Sequence, residues 1–229
     1  LAVHGQALYF TPKGAWEQIT SGSLVLSPWT KGAVILDATG SVNGLYEHYS
    51  RAKVLPCPPG ARRYDKVTIH VSTGHAPGKA SMCDNPGKLL GPSLDSLSKE
   101  LDGRRALLIT HKKLLPSVKQ HDQSGLAPAL TSWGAERGSN EWQDFDVVVV
   151  TGTPRRPSEW GTAALSAMSG HWKKTPTAEA KADLITRQTA TDLIQGLNRI
   201  RCRKVVDDHG NCDPCDVYLA LGAPKQARK

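Results

Sequence analysis

The stretch GAERGSNEWQDFDVVVVTGTP, residues 134–154, decides how the rest of the chain is read. Its centre, Val147-Val148-Val149-Val150, is apolar at four consecutive positions. A strand with one wet face alternates apolar and polar side chains, because successive Cβ atoms point to opposite faces. A run without alternation belongs where both faces are covered, in the middle of a parallel sheet packed between helices. The run closes on Gly152-Thr153-Pro154, residues that stop a strand. A polar turn precedes it, with Arg137-Gly138 followed by Asn140, and Asp144 and Asp146 lead into the strand.

Outward from this strand, four more short apolar runs predict strands: Val34–Asp37, Val67–Val71, Ala106–Thr110 and Val217–Leu221. Helices are expected over Lys113–Gln120, Ser158–Met168 and Thr191–Arg201. In the last of these, Leu193, Ile194, Leu197 and Ile200 form one apolar face. Alternating strands and helices predict an α/β fold with a mainly parallel sheet. Pro56–Arg63, Gly74–Pro92 and Ser169–Pro176 read as loops. The proline cluster at residues 56–59 places a domain boundary there, dividing the chain into 1–55 and 56–229.

Two segments together resemble a known family. The turn and strand at 134–154 resemble motif V of superfamily 2 (DEAD-like) helicases, A-R-G-x-D leading through D-x-D to an apolar strand. Arg137, Gly138, Asp144, Asp146 and Pro154 match with one residue inserted, and Asn140 stands where the family has Asp. TDLIQGLNRIRCR, residues 191–203, resembles motif VI, Q/H-x-x-G-R-x-x-R. Gln195 and Arg199 match, Asn198 replaces the Gly, and Cys202 takes the place of the last Arg between Arg201 and Arg203. Ala33–Thr39 resembles motif III, with Asp37 in the Ser position, and Arg105–Lys113 resembles motif IV.

The resemblance implies a RecA-like second motor domain over 56–229, with the end of a first motor domain at 1–55. The protein would be part of an ATP-dependent helicase or translocase acting on nucleic acid, DNA slightly favoured over RNA. Arg199 first, then Arg203, with Gln195, would face the γ-phosphate as catalytic residues. Arginine suits that task because its planar fork binds phosphate oxygens bidentately and stabilises their developing charge. Arg137, Gly138, Asn140 and Arg201 would contact the nucleotide. Thr39, Thr110, Lys112 and Lys113 would contact nucleic acid.

No phosphate-gripping G-x-x-x-x-G-K-[ST] loop occurs in the chain. Thr73–Ala80 comes nearest but lacks the first Gly and carries Ala80 where the Mg²⁺-binding hydroxyl belongs. ATP and Mg²⁺ would therefore be held mainly by a missing N-terminal motor domain. Val205–His209 imitates a D-E-x-H but follows motif VI, which is the wrong order, and Gly210-Asn211 makes it read as a hairpin turn. A nucleic-acid-binding domain that kept the motor fold and lost its chemistry is the alternative, and a zinc-containing regulatory domain is a further one. Cys212-Asp213-Pro214-Cys215 has the spacing of half a zinc site, with Cys202 and His209 near. A full site normally shows two clear ligand pairs, so no metal is expected.

The bulk properties agree. The chain has 229 residues and a net charge of +8, which favours phosphate-rich partners through counterion release. Five cysteines in a chain too long to need disulfides indicate a reducing, cytoplasmic setting. No apolar run reaches the roughly 18 residues of a membrane span. Trp133, Trp142 and Trp172 lie near the motor-like motifs and could stack on bases, although half-buried packing is the commoner use of Trp.

Overall fold

A computed structural model describes residues 7–13, 16–22, 31–50, 52–56, 58, 60–72, 79–101, 103–121, 129–170 and 175–220. Most of the Thr73–Ala80 look-alike, Trp172 and the basic centre of Ser169–Pro176 lie outside these residues. In chain order the elements are β1 (Ala7–Lys13), β2 (Trp16–Gly22), α1 (Gly40–Asn43), β3 (Val67–Ser72), α2 (Lys79–Asp84), α3 (Pro86–Leu101) and β4 (Ala106–Thr110). They continue with α4 (Leu115–His121), β5 (Ala129–Ser132), β6 (Val147–Thr151), α5 (Ser158–Ser169), α6 (Ala178–Leu197) and β7 (Cys215–Ala220). Single 3₁₀ turns occupy Leu45–His48, Lys112–Leu114 and Arg201–Arg203. The chain divides into two compact units, Leu1–Pro56 with Arg155–Asp192, and Cys57–Pro154 with Leu193–Lys229.

The second unit holds the sheet. Its five strands run in the order β3-β7-β6-β4-β5 and every neighbouring pair is parallel. The α/β expectation is met, and β4 and β6 fall on the predicted residues. The Val147–Val150 run is buried along its whole length. Val147 and Val149 pack with Leu108, Met82, Leu94, Leu101, Leu114 and Val118 from the α2, α3 and α4 side. Val148 and Val150 pack with Leu107, Ile109, Trp142, Ile200 and Val217, joined by Leu193 and Leu197 at the end of α6. Each such side chain contributes about 1.5–3 kcal/mol relative to exposure, which is what fixes a two-sided strand at the sheet centre.

Gly74–Pro92 is not a loop in its described part, because α2 and α3 together occupy residues 79–101, interrupted only at Asn85. Pro86 is tolerated as the first residue of α3, where no intrahelical N–H is needed. Burial of Met82, Leu94 and Leu101 against the sheet outweighs the poor helix propensity of the Gly and Pro residues between them. The helix predicted over Thr191–Arg201 starts earlier, at Ala178, and stops at Leu197. Asn198 closes the last turn, its backbone N–H and Nδ2 both donating to the Ile194 carbonyl at 3.0 and 2.9 Å, and the ladder then tightens as Arg199 N donates to Gly196 O at 3.1 Å. The chain then turns so that Ile200 and Cys202 enter the core. Arg199 and Arg203 therefore do not share a helix face.

In the first unit β1 and β2 form an antiparallel hairpin, paired from Ala7↔Gly22 to Lys13↔Trp16. Val34–Asp37 is not a strand. The segment has no ladder partner among the described residues, and Val34, Ile35 and Leu36 are 88%, 59% and 95% exposed. Apolar composition favours a strand only where a neighbouring strand satisfies its backbone. Asp37 instead organises the following turn. Its carboxylate accepts from Thr39 N and Oγ1 (2.9 and 2.8 Å), Asn43 Nδ2 (2.9 Å) and Tyr46 Oη (3.1 Å). Among the described residues no helix is long and apolar enough to cross a membrane.

Candidate anion site at an arginine-lined turn

The site is built where the turn after β5 meets the chain leaving α6, both within the second unit. β5 ends at Ser132, and Trp133 then donates its backbone N–H to Thr110 O at 3.0 Å and its indole Nε1 to Gly152 O at 2.8 Å. These bonds fix the start of the turn. Gly138 has φ +79, a conformation other residues rarely adopt, and it lets the turn reverse toward Ser139 and Asn140. On the other side, Arg199 N donates to Gly196 O, and Arg201 N donates to Phe145 O at 3.2 Å, stitching the two segments together.

Side chains complete the junction. Arg199 Nη1 reaches Ser139 O at 3.5 Å, and Arg203 Nη1 donates to Asn140 Oδ1. Arg137 Nε stands 4.0 Å from Glu136 Oε1. Burial, then the charge of Arg203, hold the Arg199 guanidinium below its ordinary range, while Glu136 acts in the opposite direction. Arg199 Nε is buried and has no hydrogen-bond partner among the described residues. The turn thus gathers the Arg199 and Arg203 guanidinium groups, with Arg137 beside the Glu136 carboxylate. Such an arrangement can take up an anion, and planar guanidinium forks fit phosphate oxygens.

The other residues expected at the site are placed differently. Arg201 pairs with the Asp146 carboxylate and donates to Asp144 O at 3.2 Å, so its charge is directed to the entry of β6 rather than to the turn. Gln195 is half-buried in the last turn of α6. Thr110 is fully buried and its hydroxyl donates to Thr151 O at 3.1 Å. Thr39 belongs to the first unit, buried, with its hydroxyl bonded to Asp37. Lys112 and Lys113 are exposed on the 3₁₀ turn that follows β4.

That turn lies at the carboxyl edge of the sheet, between β4, which leads to β5, and β6, whose chain goes on to β7. Open α/β sheets bind ligands at such a reversal. Here the backbone is tightly filled. Gly152 has φ +81, and a Cβ on it would lie 2.7 Å from Met82 Cε and 2.9 Å from His111 Nε2. Burial and the charge of Lys79 hold the His111 imidazole below its ordinary value. Trp133 and Trp142 serve packing: the first lies against Gly196, the second is buried in the core.

Cys202, Cys212 and Cys215 are buried in that same core. The Cys202 thiol donates to Leu197 O at 3.4 Å. Its interaction with Cys215 pushes Cys202 up and Cys215 down. His209 is exposed on a tight turn closed by Val206 N donating to Asn211 O at 2.8 Å, in place of a Walker-like acid. Among the described residues no three His, Cys, Asp or Glu side chains are arranged to hold a metal ion.

Sequence reasoning passed over Glu136, the buried carboxylate of this turn. It falls at the residue inserted relative to the motif, and nothing in the local pattern distinguishes a buried Glu from a solvated one. It also passed over the ion network on the sheet's β3 side, where Asp216 accepts from Arg104 at 2.6 Å and meets His70 Nε2 at 2.9 Å. No protein family model, curated protein or solved structure matches the chain.

Proposed function

We propose that the chain is the second motor half of an ATP-dependent nucleic-acid helicase or translocase, a RecA-like domain that presents arginines to a nucleotide held chiefly by another domain. The supporting observation is the meeting of the two motif-like segments. Ser139 and Asn140 from one accept hydrogen bonds from Arg199 and Arg203 of the other. The segments stand some 60 residues apart in sequence, and each resembles a helicase motif whose residues handle nucleotide phosphate.

The arginines act in two ways. Arg199, sunk into the protein on its Nε side, would turn its outer nitrogens to a γ-phosphate as charge builds there. Arg203, exposed and tethered to Asn140, adds charge at the rim. Lys112 and Lys113, exposed on the turn after β4, would meet a nucleic-acid backbone. ATP with Mg²⁺ would supply the phosphate, and domain closure would bring it to Arg199.

One specific observation favours a second reading, a binding domain without chemistry. Cys202, standing where the motif has its last arginine, is buried and cannot reach a phosphate. ATP turnover and single-stranded DNA binding by the full chain separate the readings from a wholly different one. The motor-half reading expects DNA binding with a steep salt dependence and no ATP hydrolysis by this chain alone. Sustained hydrolysis by the purified chain, unaffected by Arg199→Ala, overturns it.

A further inference from the structure

We infer that Glu136 is a built-in counterion of the arginine site, a positioning residue that neutralises part of the guanidinium cluster when no phosphate is bound and thereby weakens phosphate binding. The inference rests on the arginine-site reading above and goes beyond it, because nothing in the motif resemblance assigns this position.

Three observations carry it. Glu136 is 1% exposed, on a turn whose neighbours Arg137 and Gly138 are exposed. Its Oε1 faces Arg137 Nε at 4.0 Å, while its Oε2 is buried with no hydrogen-bond partner among the described residues. The nearby Arg199 Nε is buried and likewise without a hydrogen bond. A carboxylate sealed from water is costly unless charges of opposite sign surround it, and here the guanidinium groups of Arg137 and Arg199 provide that surrounding. The half-satisfied atoms on both sides leave the arrangement loosely held. An arriving phosphate can take up the outer guanidinium nitrogens without breaking a direct Glu136 hydrogen bond, since the Glu136 contact shown is the 4.0 Å approach to Arg137 Nε.

The consequence has a definite sign. With Glu136 charged, a bound polyphosphate feels one like charge at short range in a low-dielectric setting, and removing that charge strengthens binding. A residue that merely supported the fold would do the opposite, since its loss would loosen the arginines.

The test titrates inorganic tripolyphosphate into the full 229-residue chain at low ionic strength by calorimetry, with thermal melting as the check on folding. The native chain is expected to bind, and Arg199→Ala to bind at least tenfold more weakly. Glu136→Gln, which keeps shape and removes charge, is expected to bind about tenfold more tightly. Glu141→Gln removes an equal charge from an exposed position on the same loop and is expected to change affinity less than about twofold, because water and salt screen it. Should Glu136→Gln not fold, Glu136→Asp carries the test, since retracting the carboxylate by one methylene is expected to tighten binding about threefold. Unchanged or weaker binding by a folded Glu136 variant overturns the inference, as does equal tightening by Glu141→Gln. Failure of the native chain to bind, or equal binding by Arg199→Ala, instead overturns the arginine-site reading on which the inference rests.

Discussion

Arg203 donates through Nη1 to the side-chain oxygen of Asn140, joining two chain segments 63 residues apart. Its neighbour two positions earlier, Arg201, faces elsewhere and pairs with Asp146 at the entry of β6. Three arginines within five residues therefore divide into two groups, with Arg199 and Arg203 at the turn and Arg201 in the framework.

This division predicts different losses. Arg203→Ala should weaken tripolyphosphate binding several-fold and leave stability nearly unchanged, because the side chain is exposed. Arg201→Ala should cost about 1–3 kcal/mol of stability, since it strips a part-buried carboxylate and the Asp144 carbonyl of a charged donor. Denaturant titrations set beside the binding data decide it. Equal stability loss in both variants would contradict the division.

Gly152→Ala should destabilise the second unit by about 1–3 kcal/mol, through a left-handed backbone and a Cβ forced against Met82 and His111. The unfolding midpoint in urea measures it. A shift equivalent to less than about 0.5 kcal/mol would show that the carboxyl edge of the sheet is looser than its contacts imply.

What could be read from the sequence follows from which interactions are local. Val147–Val150 announced a central strand because two-sided burial leaves no alternation, and β4 followed for the same reason. Their register and parallel order do not appear in either sequence alone, because partners are chosen across some forty residues. α3 escaped notice because Gly87, Gly91 and Pro92 read as loop residues, while Leu94, Leu97 and Leu101 win their helix by packing on the sheet. The arginines of the site were legible as residue types. Their division was not, because it depends on α6 closing at Asn198 and on Ile200 and Cys202 turning inward. Glu136 could not be found at all from spacing, since its burial is a property of the folded turn.

Acid should act on the β3 side of the sheet through Asp216. Burial raises this carboxyl, but hydrogen bonds from His70 and Arg104 outweigh it and hold the group below its ordinary value. A carboxylate with a lowered folded-state value contributes stability that is complete above the unfolded value, about 3.9, and is lost as pH falls through the folded one. Asp216→Asn should therefore be less stable than the native chain near neutrality, with the difference shrinking below about pH 4. Urea unfolding at intervals from pH 7 to pH 2 gives the comparison. A difference that persists undiminished at the lowest pH would mean the carboxylate's charge is not what stabilises the network.

The segment Val34–Leu36 gives the sharpest contrast between pattern and structure. Its sequence is that of a buried strand, and a buried Leu→Ser change would cost several kcal/mol by removing apolar contacts and stranding a hydroxyl. With Leu36 95% exposed, the same substitution removes almost no contact. Leu36→Ser should thus leave the stability of the 229-residue chain within about 0.5 kcal/mol of native. It should also reduce self-association, because three adjacent exposed aliphatic residues form an apolar patch that another chain can cover. Unfolding midpoints and light scattering at rising protein concentration test the two effects separately. A loss above about 1.5 kcal/mol would mean that Leu36 is packed in solution and that the strand expected from the sequence forms after all.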